Sequence, residues 1–287
     1  MRVGVALGSG GARGMAHVGV VDELRARGHQ IVAVAGVSIG AVVGGILAAG
    51  KLEDFKGYML SMTRADVLRH LDPAVGAPGL IHGRRVVATL RSLLGEPRIE
   101  DCPIPFAAVA ADPVNRREVW FKAGSLLLAI RASIAVPALF TPMMIGGRLL
   151  VDGGVLCPLP IAVLDEYDAD VTVGVSLFGH LTDPVIEPAR ADSAHEVGQG
   201  PAALDPERLS ALGWQALPNR FAIGQAALLA LDTMQAEISR AQIAARRPDV
   251  LIEVPADAAA LLDFERSAGL IELGRSLAAE ALDAAGL

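Results

Sequence analysis

The chain has 287 residues and a formal net charge of −7, and 52% of its residues are hydrophobic but only 4% aromatic. A core of Ala, Val, Leu and Ile with few aromatic side chains is typical of parallel sheets covered by helices, so the composition favours an α/β fold. Charges of both signs are mixed along the chain without a run of Lys or Arg, which argues against nucleic acid as a partner.

The secondary-structure pattern alternates between strands and helices along most of the chain. In chain order we predict a strand at 3–8, a helix at 15–27, a strand at 31–35, helices at 39–50, 52–62 and 84–94, strands at 105–112 and 117–122, a helix at 125–134, a hairpin at 142–152, a strand at 171–178, a helix at 221–245, a strand at 249–254 and a helix at 258–285. This order predicts a mainly parallel sheet covered by helices.

Residues 179–219 differ from the rest of the chain because they are polar and rich in proline, glycine and acidic side chains. Such a composition does not sustain a core, so we predict a flexible insertion there, within a single domain of residues 1–287.

Cysteine usage and the first residues bear on location. Cys102 and Cys157 lack the spacing of a metal site, so we expect reduced thiols in a cytosolic protein. The apolar run at residues 3–7 is too short for the hydrophobic segment of a secretory signal. These features predict a cytoplasmic location.

A stretch without any charged residue runs from Gln30 to Gly50, long enough on length alone to cross a bilayer. Its first part, "IVAVAG", is β-branched and ends at a glycine, whereas "IGAVVGGILAAG" is made of small and helix-forming residues. No positive cluster flanks the stretch to orient a spanning helix. We therefore interpret it as a strand followed by a helix.

The loop "GSGGARG" at residues 8–14 joins the first strand to the first helix. It lacks the last glycine of a dinucleotide fingerprint and the Gly-Lys-Ser/Thr end of a phosphate-binding P-loop. A plain structural turn remains an alternative. Backbone amides at a helix N-terminus also suit a developing oxyanion, which is the functional alternative.

The second motif, Gly36-Val37-Ser38-Ile39-Gly40, is a G-x-S-x-G pattern inside the charge-free stretch. The pattern indicates a nucleophilic serine when a strand precedes it and a helix follows, as predicted here. Because the loops after neighbouring parallel strands emerge at the same sheet edge, Ser38 and the glycine loop are expected to lie together.

A base for the serine is less obvious from the sequence. Asp152, in "DGG" just past the end of the second hairpin strand, is the candidate carboxylate, although such a turn is also common without function. A histidine base is the alternative, with His17, His180 and His195 as candidates.

Taken together, "LGSGGARG", "GVSIGA" and "DGG" resemble the oxyanion loop, nucleophile turn and acid of the patatin-like phospholipases, in particular small bacterial members. The resemblance covers residues 2–177 and implies a three-layer α/β/α fold. Two positions depart from the family pattern: Ser9 interrupts the glycine run, and Cys157 stands where many members carry asparagine.

What the resemblance implies is an acyl hydrolase that cleaves lipid or lysolipid esters with a Ser38–Asp152 dyad, through an acyl-enzyme and without metal or cofactor. It places Gly10, Gly11 and Arg13 in the oxyanion loop, where Arg13 either holds the loop or meets a phosphate head group. It leaves peripheral membrane contact and oligomeric state open. The alternatives are a general carboxylesterase or thioesterase with the same dyad, and a lipid-binding regulatory module without turnover.

Overall fold

The computed structural model describes residues 1–74, 79–181 and 223–287. Its strands are β1 (Arg2–Leu7), β2 (Gln30–Val37), β3 (Phe106–Asp112), β4 (Arg117–Phe121), β5 (Met143–Ile145), β6 (Arg148–Asp152), β7 (Val171–Gly179) and β8 (Val250–Pro255). Its α-helices are α1 (Ala16–Ala26), α2 (Ile39–Ala48), α3 (Leu52–Leu60), α4 (Arg64–His70), α5 (Arg84–Leu94), α6 (Leu126–Ser133), α7 (Ile223–Ala245) and α8 (Ser267–Ala285).

The strands form one sheet in which the hydrogen-bonded neighbours follow the path β5-β6-β3-β2-β1-β7-β8. Strands β2 and β6 bond to successive parts of one edge of β3, and β4 pairs with the other edge. Neighbours from β3 across to β8 run parallel, while the pairs β3–β4, β3–β6 and β5–β6 are antiparallel. The predicted α/β class with a mainly parallel sheet is confirmed.

The two faces of the sheet are covered differently because side chains alternate along each strand. Val3, Val5 and Leu7 of β1 face one layer, in which α1, α2, α6 and α8 supply most of the apolar partners. The opposite face presents small residues such as Ala33 and Ala35 to a segment around Leu159 and Leu164. Helical segments therefore cover both faces, which gives the three layers.

The charge-free stretch divides as the sequence predicted. It forms β2 and the ten-residue helix α2, with Ser38 between them. Among the described helices, none is both long enough and apolar enough to cross a membrane.

Two predictions about helices differ from the structure. Helix α4 was not predicted, although Thr63 and Asp66 form a capping box at its start. The last helix begins at Ser267 rather than near residue 258, because the preceding segment packs on the glycine loop, where Leu261 O accepts from Ala12 N–H.

The predicted insertion at 179–219 lies, beyond its first three residues, outside the described part of the chain. The single-domain assignment of residues 1–287 stays a prediction.

Candidate active site

Ser38 lies on a tight turn between β2 and α2, with φ 55° and ψ −124°. A non-glycine residue with positive φ costs free energy and persists only where its surroundings enforce it. Here two glycines make the turn possible: a Cβ on Gly36 would lie 2.3 Å from Gly40 O, and a Cβ on Gly40 would lie 2.1 Å from Leu7 O. The outer glycines of G-x-S-x-G are thus explained by close backbone approach.

Ser133, at the end of α6, holds this turn from the side. Its Oγ accepts the Ser38 amide hydrogen at 2.9 Å and donates to Val109 O at 2.6 Å, and the residue is fully buried. Both bonds therefore connect the strained turn to β3. Ser133 was not predicted, because no motif or spacing singles out a serine at the end of an apolar helix.

Strand register brings Asp152 beside Ser38. Val37, the last residue of β2, pairs with Val109 of β3, and Asp152, the last residue of β6, pairs with Ala110. Strand β4 pairs with these same β3 residues, so it must occupy the opposite edge of β3 from both β2 and β6. Strand β6 consequently bonds to the same edge of β3 as β2 does, starting one residue past the end of β2. Asp152 therefore lies next to the start of the serine turn.

The Asp152 carboxyl is only 1% exposed, and Oδ1 accepts the Gly154 amide hydrogen at 2.7 Å. Burial raises the pKa of Asp152 to about 7, against the lowering effects of the Ser38 hydroxyl and the Gly154 amide. Although Ser38 is close enough to lower this pKa, Oδ2 has no hydrogen bond of good geometry within the described residues. Loose contacts of this kind are common in sites without substrate.

The glycine loop presents two amides without acceptors. Gly10 and Gly11 have φ 152° and 60°, and no acceptor for either amide is found in the described part of the chain. The flanking amides do have backbone acceptors: Gly8 to Val175 O at 3.0 Å, Ser9 to Pro158 O at 2.9 Å and Ala12 to Leu261 O at 2.9 Å. Unsatisfied amides at the start of a helical turn are suitable donors to an anionic oxygen.

Arg13, the third residue assigned to this loop, is 3% exposed and bonded within the protein. Its guanidinium donates to Gly10 O, Ala256 O and Asp232 Oδ1, and it lies 5.2 Å from the centre of the Phe178 ring. This environment favours the loop-holding role over contact with a phosphate head group.

The candidate histidines lie in different surroundings. His17 is fully buried, its Nε2 lies 2.9 Å from Gly8 O, and burial lowers its pKa to about 4. The neutral ring therefore donates to Gly8 O, which leaves that nitrogen unable to accept a proton. His180 is exposed at the end of β7, and His195 lies outside the described residues.

Two cavities meet at Ser38, and both are also lined by Gly11, Val136 and Leu261. One, of about 170 Å³, is lined largely by residues of α2, α3, α4 and α5 and is apolar apart from Ser38, Tyr58, His70 and Thr89. The other is bordered by polar groups and by leucines of α7, and its polar lining comprises Ser9, Arg13, Ser38, Asp152, Asp232 and Gln235. Within the described ranges, no three His, Cys, Asp or Glu residues are grouped as metal ligands would be.

Comparisons with known proteins place these features in context. The family model described as patatin-like phospholipase matches residues 5–165. An uncharacterised NTE family protein of Mycobacterium tuberculosis is 38% identical, over 99% of this chain and 92% of that protein. Lysophospholipase nte1 of Emericella nidulans is 31% identical, over 61% of this chain and 12% of that protein.

Among solved structures, VipD from Legionella pneumophila is similar at a TM-score of 0.45 and 13% identity, over 99% of this chain and 66% of that chain.

Proposed function

The chain belongs to the patatin-like phospholipase family, and from that premise we propose that it is a serine-dependent lipid acyl hydrolase. Its substrates are phospholipids or lysophospholipids met at a membrane surface or in micelles, and its location is the cytoplasm. The nucleophile is Ser38, the base is Asp152, and the oxyanion donors are the amides of Gly10 and Gly11.

One observation supports this proposal above all: Ser38, Asp152 and the two glycines whose amides have no acceptor in the described part of the chain all border the same cavity. A hydrolytic site needs a nucleophile, a proton acceptor and donors for the developing negative charge within reach of one carbonyl group. A pKa of about 7 leaves a substantial fraction of Asp152 ionised at neutral pH, and it makes the carboxylate a stronger base than an exposed one.

In the first half of the reaction, the Asp152 carboxylate takes the proton from Ser38 Oγ as this oxygen attacks the ester carbonyl carbon. The carbonyl oxygen becomes an oxyanion and accepts hydrogen bonds from the Gly10 and Gly11 amides. When the tetrahedral intermediate collapses, the ester bond breaks and protonated Asp152 gives its proton to the leaving alcohol oxygen. The acyl group remains on Ser38.

In the second half, Asp152 takes a proton from water, whose oxygen attacks the acyl carbonyl carbon. Collapse releases the fatty acid and returns the proton to Ser38 Oγ. The apolar cavity at Ser38 suits the acyl chain, because its wall of mostly aliphatic and aromatic side chains offers burial with few hydrogen-bonding groups. The polar cavity suits the head-group side of the ester.

The proposal is tested by comparing the wild type with Ser38→Ala. We expect the wild type to release fatty acid from phospholipid or lysophospholipid and to gain a fluorophosphonate adduct, located at Ser38 by peptide mass spectrometry. Ser38→Ala is expected to fold normally and to lose both properties. Ser92→Ala, at an exposed serine on α5, is the matched control and should behave as the wild type.

Turnover by Ser38→Ala above a few per cent of the wild-type rate would remove Ser38 from the nucleophile role. Hydrolysis restricted to short-chain p-nitrophenyl esters or to thioesters would support the general esterase or thioesterase alternative. Lipid retained on the purified protein without any turnover would support the lipid-binding module.

A further inference from the structure

Helix α7 contacts the glycine loop at two points that lie on either side of the free amides. Asp232 Oδ1 accepts from Arg13 Nη2 at 2.6 Å, and Gln235 Oε1 accepts from Ser9 Oγ at 2.6 Å. Asp232 and Gln235 are three residues apart, so they project from the same side of the helix. Ser9 precedes Gly10 and Gly11 in the loop, and Arg13 follows them.

The Arg13 contact acts on one of the free amides through the geometry of a peptide unit. Arg13 Nε donates to Gly10 O at 3.1 Å. Gly10 C=O and Gly11 N–H belong to the same planar peptide unit and point in opposite directions. A donor that fixes the Gly10 carbonyl therefore also fixes the direction in which the Gly11 amide points.

The guanidinium is in turn held in place by its other contacts. Its Nη2 bonds to Asp232 and its Nη1 donates to Ala256 O at 2.6 Å. The charged carboxylate is the stronger of these acceptors. Glycines at positive φ have little intrinsic preference for one backbone conformation, so the loop depends on such external contacts for its shape.

The Gln235 contact restrains the other end of the loop. Ser9 and Gln235 are 1% and 8% exposed, so solvent cannot readily replace their hydrogen bond. Ser9 C=O and Gly10 N–H share the preceding peptide unit, so restraint of Ser9 bears on the direction of the Gly10 amide.

We propose that Asp232 and Gln235 are positioning residues: α7 sets the directions of the Gly10 and Gly11 amides through Arg13 and Ser9. The inference rests on the proposed function, since these amides are its oxyanion donors. It makes α7 a part of the catalytic apparatus although neither residue touches the reacting atoms.

A positioning role and a purely structural role predict different measurements. The Asp232 side chain is 44% exposed, whereas that of Arg13 is only 4% exposed. In Asp232→Ala, water can reach Arg13 Nη2 from the Asp232 side and take the place of the carboxylate as its acceptor, and the bonds of Arg13 to Gly10 O and Ala256 O remain. Loss of an oxyanion donor costs about 100-fold to 1,000-fold in kcat, so misdirecting one should cost about tenfold or more. Asp232→Ala should thus lower kcat by about tenfold or more while the melting temperature stays near the wild-type value.

The experiment measures kcat and KM for a p-nitrophenyl ester, together with the affinities of a trifluoromethyl ketone and of a fatty acid. The ketone forms an oxyanion on Ser38, whereas the fatty acid is a ground-state ligand. For Asp232→Ala we expect kcat and ketone affinity to fall by about tenfold or more in parallel. KM, fatty-acid affinity and melting temperature should stay near the wild-type values, and Asp232→Asn, which keeps an acceptor oxygen, should restore much of the loss.

Asp283→Ala is the matched control, because it removes another solvent-accessible carboxylate that pairs with an arginine at 2.6 Å, Arg27, outside the site. It should leave all five quantities unchanged. If Asp232→Ala does not fold, the same five quantities are measured for Gln235→Leu. A loss confined to kcat and ketone affinity would again support the positioning role, and wild-type values would overturn it.

This inference alone would be overturned if Asp232→Ala kept the wild-type kcat and ketone affinity. It would also be overturned if fatty-acid affinity and melting temperature fell together with kcat and ketone affinity, because that would indicate a general structural defect. A wild type that neither turns over ester nor is labelled at Ser38 would overturn the proposed function, and this inference with it.

Discussion

Asp152→Asn should make the protein inactive and, at neutral and alkaline pH, more stable. An amide cannot take the serine proton, so hydrolysis should fall by several powers of ten. The same change removes a carboxyl that is costly to ionise where it lies, because burial raises its pKa to about 7. Asn can still accept the Gly154 amide hydrogen through Oδ1, so the main local contact survives.

The size of the stabilisation follows from linkage between ionisation and folding. Below pH 3.8 the carboxyl is protonated in both states, so its ionisation affects neither. Between 3.8 and about 7 the unfolded chain loses the proton first, so the folded wild type loses stability as pH rises, and above that range the loss is constant. The difference between the two pKa values corresponds to about 4 kcal/mol.

Urea denaturation of both proteins from pH 5 to pH 9 measures this effect. The gain in unfolding free energy for Asp152→Asn should rise from about 2 kcal/mol at pH 5 to about 4 kcal/mol near pH 8. Protonation of His17 affects both proteins alike and cancels in the difference. Asp112→Asn is the matched control: hydrogen bonds from Asn115 lower the pKa of that buried carboxyl, so this variant should be destabilised at neutral pH.

A stability difference that is the same at every pH, or a variant less stable than the wild type at pH 9, would refute the assigned pKa of Asp152. A pH–rate profile alone does not separate the dyad from a histidine base, since about 7 lies close to the value for imidazole, about 6.5. The temperature dependence of that profile does separate them, because imidazole ionises with a large enthalpy and a carboxyl with a small one.

Three further substitutions test other residues of the site. Ser133→Ala should lose about 1–3 kcal/mol in urea denaturation and lower kcat, because the Ser38 amide and Val109 O lose their buried partner; unchanged values would show that Ser133 does not hold the turn. His17→Gln should lower the melting temperature more than the specific activity of the folded protein, and a loss of activity at unchanged stability would contradict the dyad. Val42→Phe, in the apolar cavity, should lower kcat/KM for long-chain esters more than for acetate esters, and equal losses would place the acyl chain elsewhere.

The candidate histidines show what the sequence could predict about the site and what it could not. The sequence placed His17 close after the glycine loop, and the structure does bring it to that loop. Whether it could accept a proton depended on its burial and on its contact with Gly8 O, neither of which is encoded in the spacing of residues. The dyad remains the proposal that the geometry supports best.

Helix boundaries show a similar division. Helix α6 begins within one residue of its predicted start, because its N-cap, Ser125, accepts from Leu128 N–H and such capping is a contact between residues three apart. The start of α8 was misjudged because residues 256–266 have a helical composition, yet their carbonyls bond to Ala12 and Arg13 instead. Tertiary hydrogen bonds outweighed the local preference.

By itself the sequence determined the α/β class, the serine turn and the glycine loop, because each follows from short-range sterics: alternation along strands, and glycines where backbones approach closely. Only the tertiary structure decided that Asp152 lies beside Ser38. An antiparallel strand that paired with β3 along its full length would end near the first residues of β3, at the far end of the strands from Ser38. Strand β6 instead pairs with β3 only from Ala110 onward, just past the end of β2, and α7 returns to contact the loop. Such register depends on hydrogen bonds and packing between segments far apart in the chain, which no local pattern encodes.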